Sequence, residues 1–571
     1  MWIHRAEWIQ ILLIGLTFIR SAPSQTAGHV HEMAMEDQTD PEQLPRPSRM
    51  KGIGNSALRI TANHEAQRWF NQGLNQIHDF WDYESARSFQ ESIRSDRQCA
   101  MCYWGLYKAL SFFHGNNQGY GAVALAKAME LRSKATERER LYIEATASAT
   151  GTGFENGVRL WRELVRRYPD DEQAKIFLSS YVPHSEAVEL LHSVLKKKPN
   201  DSAANHYLIH ALESTDRATE ALGSALILPR LAPHSGHMVH MPGHIYFVLG
   251  QYESAEKSFA SSAHVDESYM QHENVKPDDD WNYVHNMMYS IANFMEEGKL
   301  KHAEALSSRK LPAARGQLES TLYIYQPRDS MSRIDPELPV ALRTADWAKI
   351  RTVLSQKSNS EQLPNLAFLS RELLNFAKAM QAFKNRDWGE SNRLQRDFEA
   401  ELSAARLQAK QVSKDPSAEG KPQRQVSPDA LLSPLIGTLS VMSIELRAWS
   451  EALSGKLNEA ALSFDEAAAA EKSLGYREPP AYVRPVRESE GEAFLQMRDW
   501  SRAQQAYLAA LKQRPASGFA LYGIALSAEK GKQFELARQM YGELLRVWRH
   551  SDRGLAQIVH AKAFLAQHAA A

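Results

Sequence analysis

Cysteine is nearly absent, with two in 571 residues. That excludes a disulfide-dense scaffold. Net charge is nearly absent too, since 67 Lys and Arg face 68 Asp and Glu. There is no basic surplus and no Lys/Arg stripe, which argues against a nucleic-acid partner. After Ile19 no long apolar run occurs, so no membrane span is expected in the mature chain. The zinc-protease string HExxH is missing, and hydrolysis of that kind is not indicated. What remains is ordinary for a folded protein: 43% apolar and 24% charged residues. The length allows several domains or one long repeat array.

The single apolar run lies at the start. His4 and Arg5 precede "WIQILLIGLTFI", Trp8 to Ile19, and small residues follow in "RSAPSQTAG". This reads as a signal peptide over 1–27, with cleavage near Ser24 to Ala27; an uncleaved anchor is the alternative. No cysteine follows the apolar core, which argues against a lipoprotein. The chain is therefore expected outside the cytoplasm, periplasmic or secreted. Residues 28–58 are poor in apolar side chains and rich in Pro, Asp, Glu and Gln, and are expected to be disordered. "HVHEMAME" within them offers His and Met to a soft metal, although a solvated tail is the plainer reading.

From about Thr61 apolar residues recur at three- and four-residue spacing, which predicts helices. In the C-terminal part the pattern itself repeats. Ala503 and Tyr507 return as Ala537 and Tyr541, and 537 − 503 = 541 − 507 = 34. Gly491 supplies a small residue in the preceding helix, and Pro515 closes the unit. This resembles the tetratricopeptide repeat, a helix–turn–helix unit of that period. "GKLNEAALSFDEAAAA", "GQYESAEKSFASS" and "FNQGLNQIHDFWDYESARSFQES" fit the same template. The fold class that follows is all-α, a right-handed α-solenoid of such repeats in two arrays, with a concave groove. The expected divisions are an N-terminal array (59–330), a further helical region (331–407), a flexible linker rich in Lys, Gln, Ser and Pro (408–430) and a C-terminal array (431–571).

The histidines follow the same period. "NHYLIHALE" carries His206, His210 and Glu213, and "GHMVHMPGHIY" carries His237, His240 and His244. Since 240 − 206 = 244 − 210 = 34, the two pairs occupy equivalent places in consecutive units. Each pair is spaced i, i+4 and leaves one helix face. Gly243 precedes Ala255 by 12, as Gly491 precedes Ala503. The resemblance implies that positions six and three before that small residue, and one after it, line the groove. His237, His240 and His244 fall there. His285, His78 and Glu213 are expected to face the groove as well, and His114 approaches from a nearby turn. Neighbouring packed helices lie about 8–10 Å apart, so imidazoles leaning inward can meet one ion. Such a set suits copper, zinc, iron or nickel, and Met238, Met241, Met287 and Met288 tilt the choice toward copper over zinc or iron. The plain alternative is histidines hydrogen-bonding a peptide ligand. Pro242 is a complication, because it would kink the helix or mark its true start and leave His237 in a loop.

"CAMCYWG" places Cys99 and Cys102 at CxxC spacing. A disulfide is the simplest outcome in an oxidising compartment, and Tyr103 in place of histidine gives no support to c-type haem attachment. "GYREPPAYVRPVRESEG" is an insertion whose prolines force extended chain, read as a strap between repeats or as a peptide- or anion-binding loop. Taken with the histidine strings, these segments resemble a group of large exported bacterial tetratricopeptide proteins. The resemblance implies the fold and no activity. Three readings remain open from the residues. The first is a metal-binding solenoid that engages a peptide or protein partner. The second is a metalloenzyme with Glu213 as general base and Tyr207 or Tyr246 as lesser candidates. The third is a metal-free interaction scaffold.

Overall fold

A computed structural model describes residues 39–114, 119–150, 153–315, 334–355, 364–412, 432–480 and 482–568. The segment expected to be a signal peptide (1–27) and most of the expected linker (408–430) lie outside these residues. Residues 408–412 belong to the helix Trp388–Val412.

All regular structure among the described residues is helical. From His64 onward, consecutive helices pack against each other in hairpins joined by short turns. One contact recurs and explains the repeat. A Cβ added at Gly243 would lie 2.2 Å from the Phe259 ring, at Gly491 2.5 Å from Tyr507, and at Gly73 2.9 Å from Phe89. The spacing is constant: 259 − 243 = 507 − 491 = 89 − 73 = 16. A small residue in the first helix thus receives an aromatic ring from the second. Ala255, Ala503 and Ala86, four or three residues before these rings on the second helices, are fully buried. First helices of successive hairpins also touch, so Ser202–Glu213, Gly236–Val248 and Trp281–Glu296 stand in a row. Asp201 caps the first of these, accepting from the Ala204 amide at 2.8 Å, and Ser235 caps the second, accepting from Met238 at 3.3 Å.

Two expectations need correction. Residues 39–58, expected to be disordered, form an ordered extended strap across the first helices. Their composition is polar, but helix side chains take up their backbone groups. The Ser56 amide donates to Asn75 Oδ1 at 2.8 Å, Asn75 Nδ2 donates to the Ser56 carbonyl at 2.8 Å, and Arg87 Nε donates to the Pro45 carbonyl at 2.9 Å. Leu44, Ile53 and Leu58 sink into the core. Pro242 neither starts nor ends a helix, because Gly236–Val248 runs straight through it. His237 therefore sits in the first turn and not in a loop.

One core spans residues from Leu44 to Val340, and a second spans residues from Ile334 to Ala503. Where they meet, Arg343 is buried between Glu296 and Glu488, donating at 2.8 Å and 2.6 Å respectively. Among the described residues no helix is long and apolar enough to cross a membrane.

Candidate metal centre

The three neighbouring first helices bring all six expected histidines together. His206, His210 and Glu213 leave one face of Ser202–Glu213. His237, His240 and His244 leave Gly236–Val248, and His285 leaves Trp281–Glu296. They sort into two triads, His206/His210/His237 and His240/His244/His285, each with ligand nitrogens within 4.8 Å of one another, and His210 and His244 form a third set of that size with Glu213 and Glu478.

Hydrogen bonds fix which nitrogen carries the proton in four of these rings. His206 Nδ1–H donates to the His78 carbonyl at 2.5 Å, and His210 Nδ1–H donates to Glu213 Oε1 at 2.6 Å. In neutral rings both Nε2 atoms then carry lone pairs, yet they face each other at 3.1 Å. His237 Nε2 stands 3.1 Å from His206 Nε2. In the second triad, Asn286 Nδ2 donates to the Phe259 carbonyl at 2.9 Å, which turns Asn286 Oδ1 toward His240 Nδ1 at 2.7 Å. His244 Nδ1–H donates to Glu213 Oε2 at 2.5 Å. His240 Nε2 and His244 Nε2 then meet, lone pair against lone pair, at 2.7 Å.

That arrangement is repulsive for neutral rings by themselves. A proton shared between two nitrogens would relieve it, but burial opposes the charged form. Burial pushes His206, His237 and His240 well below the usual histidine range and His244 down to about 3. A cation between the nitrogens relieves it without protonation. Bonds of about 2.0–2.1 Å to one ion set imidazole nitrogens roughly 3.3 Å apart, close to the spacing seen. The outer Nδ1–H groups held by carbonyl and carboxylate oxygens are the usual second layer around a histidine-bound ion.

The other candidates fare differently. The His78 ring lies away from the triads, between Gln173 Oε1 at 2.6 Å and the Tyr207 hydroxyl at 3.3 Å, and burial lowers it to about 4. Only its carbonyl serves the centre, so the expectation that His78 faces the groove is corrected. Glu213 offers no free oxygen as a general base, because both are taken by imidazoles of different triads. The His114 side chain lies outside the described residues. Cys99 and Cys102 form a disulfide.

The centre is closed, where an open groove was expected. All six histidines are buried, His210 being the most accessible at 8%. Phe80, in the turn after His64–His78, lays its ring 4.7–5.3 Å from those of His206, His210 and His237. Tyr289 lies 4.4 Å from His244, ring to ring. From the far end of the chain residues 475–480 of the proline-rich insertion reach over the second triad. Its Glu478 carboxylate stands 3.6 Å from His285 Nε2 and 3.9 Å from His210 Nδ1, and its Tyr476 hydroxyl 3.2 Å from that of Tyr289. The sequence marks that insertion as unusual, but nothing in it gives its distance from the histidines. Asn286 and Tyr289 follow His285 on the same helix and carry no motif of their own.

Residues 489–552 match the tetratricopeptide repeat family. The chain carries tetratricopeptide repeats. The Gly491–Tyr507 contact lies inside the matched stretch, and Gly243–Phe259 repeats it beside the histidines. Among solved structures, the chain is similar to yeast Tom70, at 15% identity over 88% of this chain and 96% of that one, with a TM-score of 0.29. It is also similar to the APC/C hetero-tetramer Cut9–Hcn1, at 13% identity over 79% and 99%, TM-score 0.24. A third is the P58(IPK) tetratricopeptide domain, at 13% identity over 72% and 99%, TM-score 0.19. None of the curated proteins matches the chain.

Proposed function

We propose that this tetratricopeptide-repeat protein binds a transition metal through its six clustered histidines and engages a peptide or protein partner with other repeat surface. The observation that carries the metal reading is the pair of facing lone pairs, His206 against His210 and His240 against His244. A histidine satisfied by core hydrogen bonds sets a donor against an acceptor; these do not. Imidazole donors suit copper, zinc, iron and nickel, and copper stands highest in the affinity order of the divalent ions. The partner reading rests on the repeats, whose stacking creates extended binding surfaces. Burial of the ring nitrogens favours a small molecule over a peptide for any chemistry at the ion. Export fits the N-terminal apolar segment and the Cys99–Cys102 disulfide, since such bonds persist in oxidising compartments.

The test is elemental mass spectrometry on the mature chain, purified without a polyhistidine tag, beside a His206→Ala/His240→Ala double variant. Near-stoichiometric metal in the first and none in the second is the expected result. A wild type that stays metal-free after reconstitution would leave an interaction scaffold.

A further inference from the structure

The histidines do not form one six-membered shell. Each triad holds its ligand nitrogens within 4.8 Å of one another, and the six histidines do not together form one set of that size. One ion bonded at about 2.0–2.1 Å cannot serve both sets. The triads are nonetheless built as a pair. Glu213 gives one oxygen to His210 of the first and the other to His244 of the second. Glu478 stands between His210 of the first and His285 of the second.

From this geometry we infer that the centre is a dinuclear copper site, one ion per triad, and that its small ligand is dioxygen. The inference rests on the metal reading above and goes beyond it in number, ion and ligand. Three neutral nitrogens per ion leave coordination positions unfilled and suit the cuprous state as well as the cupric one. Zinc would fill such sites but has no second oxidation state to use. Iron pairs draw on several oxygen donors, whereas here each triad is all nitrogen and Glu478 is the one carboxylate beside them not already bonded to two imidazoles. Phe80, Trp281 and Tyr289 pack around the rings, which excludes a peptide and leaves a small molecule as the ligand. The electron count closes with nothing else supplied. Each cuprous ion gives one electron, and one dioxygen takes both and is held between two cupric ions as its two-electron reduced form. No proton is required, and release of dioxygen returns both electrons.

The full mature chain, loaded anaerobically with Cu(I), is assayed for copper per chain, for dioxygen uptake and by EPR after exposure to air. His206→Ala and His285→Ala are run beside it, each dismantling one triad. The expected wild type holds two coppers, takes up one dioxygen per copper pair and gives no EPR signal after uptake, because the paired cupric spins couple. Each variant should hold half the copper, take up no dioxygen and show an isolated cupric signal in air. A single copper lost in both variants would overturn the pair. Two coppers that give independent EPR signals and no dioxygen uptake would overturn the ligand while leaving a metal-binding protein. No copper at all would overturn the copper pair, while another metal found by elemental mass spectrometry would keep the metal-binding reading. The wild-type stoichiometry and EPR decide the matter even where a variant fails to fold.

Discussion

Glu213 is the residue on which both triads depend. Its carboxylate accepts from His210 on its own helix and from His244 on the next, so it sets two tautomers at once. Glu213→Gln keeps the shape but turns one acceptor into an NH2 donor. One of the two imidazoles must then present Nδ1 as an acceptor and carry its proton on Nε2, where an ion would bind. Loss of such an outer partner typically weakens metal affinity by about 10–100-fold. The expected outcome is weakened copper binding at one triad with little change in fold, measured by competition with a chromogenic Cu(I) chelator. Retained affinity at both triads would show that Glu213 sets neither ring. Acid tests the same chemistry without a mutation. Burial holds His78 at about 4 and His244 at about 3, against 6.5 in an unfolded chain. Below pH 6.5 the unfolded chain takes up protons that the folded one refuses, so stability present at pH 7.5 is lost as pH falls toward 4. Urea midpoints of the metal-free protein should drop between pH 7.5 and 5, and bound metal should be released over the same range. A midpoint unchanged at pH 5 would mean that these rings are protonated in the fold.

At the scale of the element, the repeat is a glycine meeting an aromatic ring. Gly243 lies in the helix that carries His237, His240 and His244, and a Cβ there would come within 2.2 Å of the Phe259 ring. Gly243→Ala should therefore force the hairpin apart at a cost of about 1–3 kcal/mol. Because the displaced helix carries ligands of both triads, copper binding should weaken in parallel. Gly542 is the control: it lies in the helix Phe534–Val547 and an added Cβ meets nothing within 4 Å. Gly542→Ala should raise stability by about 0.5–1 kcal/mol. Thermal unfolding of the two variants should shift in opposite directions, and a shared sign would contradict the packing account. This unit is the part of the fold most legible in sequence. The spacing of 34 appears wherever one hairpin stacks on a copy of itself; it placed four of the six histidines on facing helices, and the position of Gly243 placed His237 with them. The strap at 39–58 was not legible, because composition reports apolar content and misses backbone groups satisfied by Asn75 and Arg87. Nor was Glu478, since its approach to His285 depends on how a distant array docks.

At the scale of the molecule, that docking turns on Arg343. Its guanidinium donates to Glu296 at the end of Trp281–Glu296, to Glu488 at the start of Val486–Gln496, and to Ser517. Burial alone would raise the Glu296 carboxyl, but Arg343 and Arg514 beside it outweigh burial and hold it down at about 2. The contact thus joins the helix that bears His285 to the helix that follows the Tyr476–Glu478 segment. Arg343→Met removes the cation and leaves two carboxylates buried. Arg514 still pairs with Glu296 at 2.9 Å, so Glu488 carries most of the uncompensated charge. Removing one partner of a buried ion pair costs about 3–5 kcal/mol. The loss should be local before it is global. With the junction loosened, the 475–485 insertion should leave the histidines, and chelators should strip the metal faster than from wild type. An Arg343→Met/Glu488→Gln double variant, which removes the stranded charge, should recover part of the stability. Recovery would identify the buried carboxylate as the cause, and a double variant no more stable than the single one would assign the loss to packing of the Arg343 side chain.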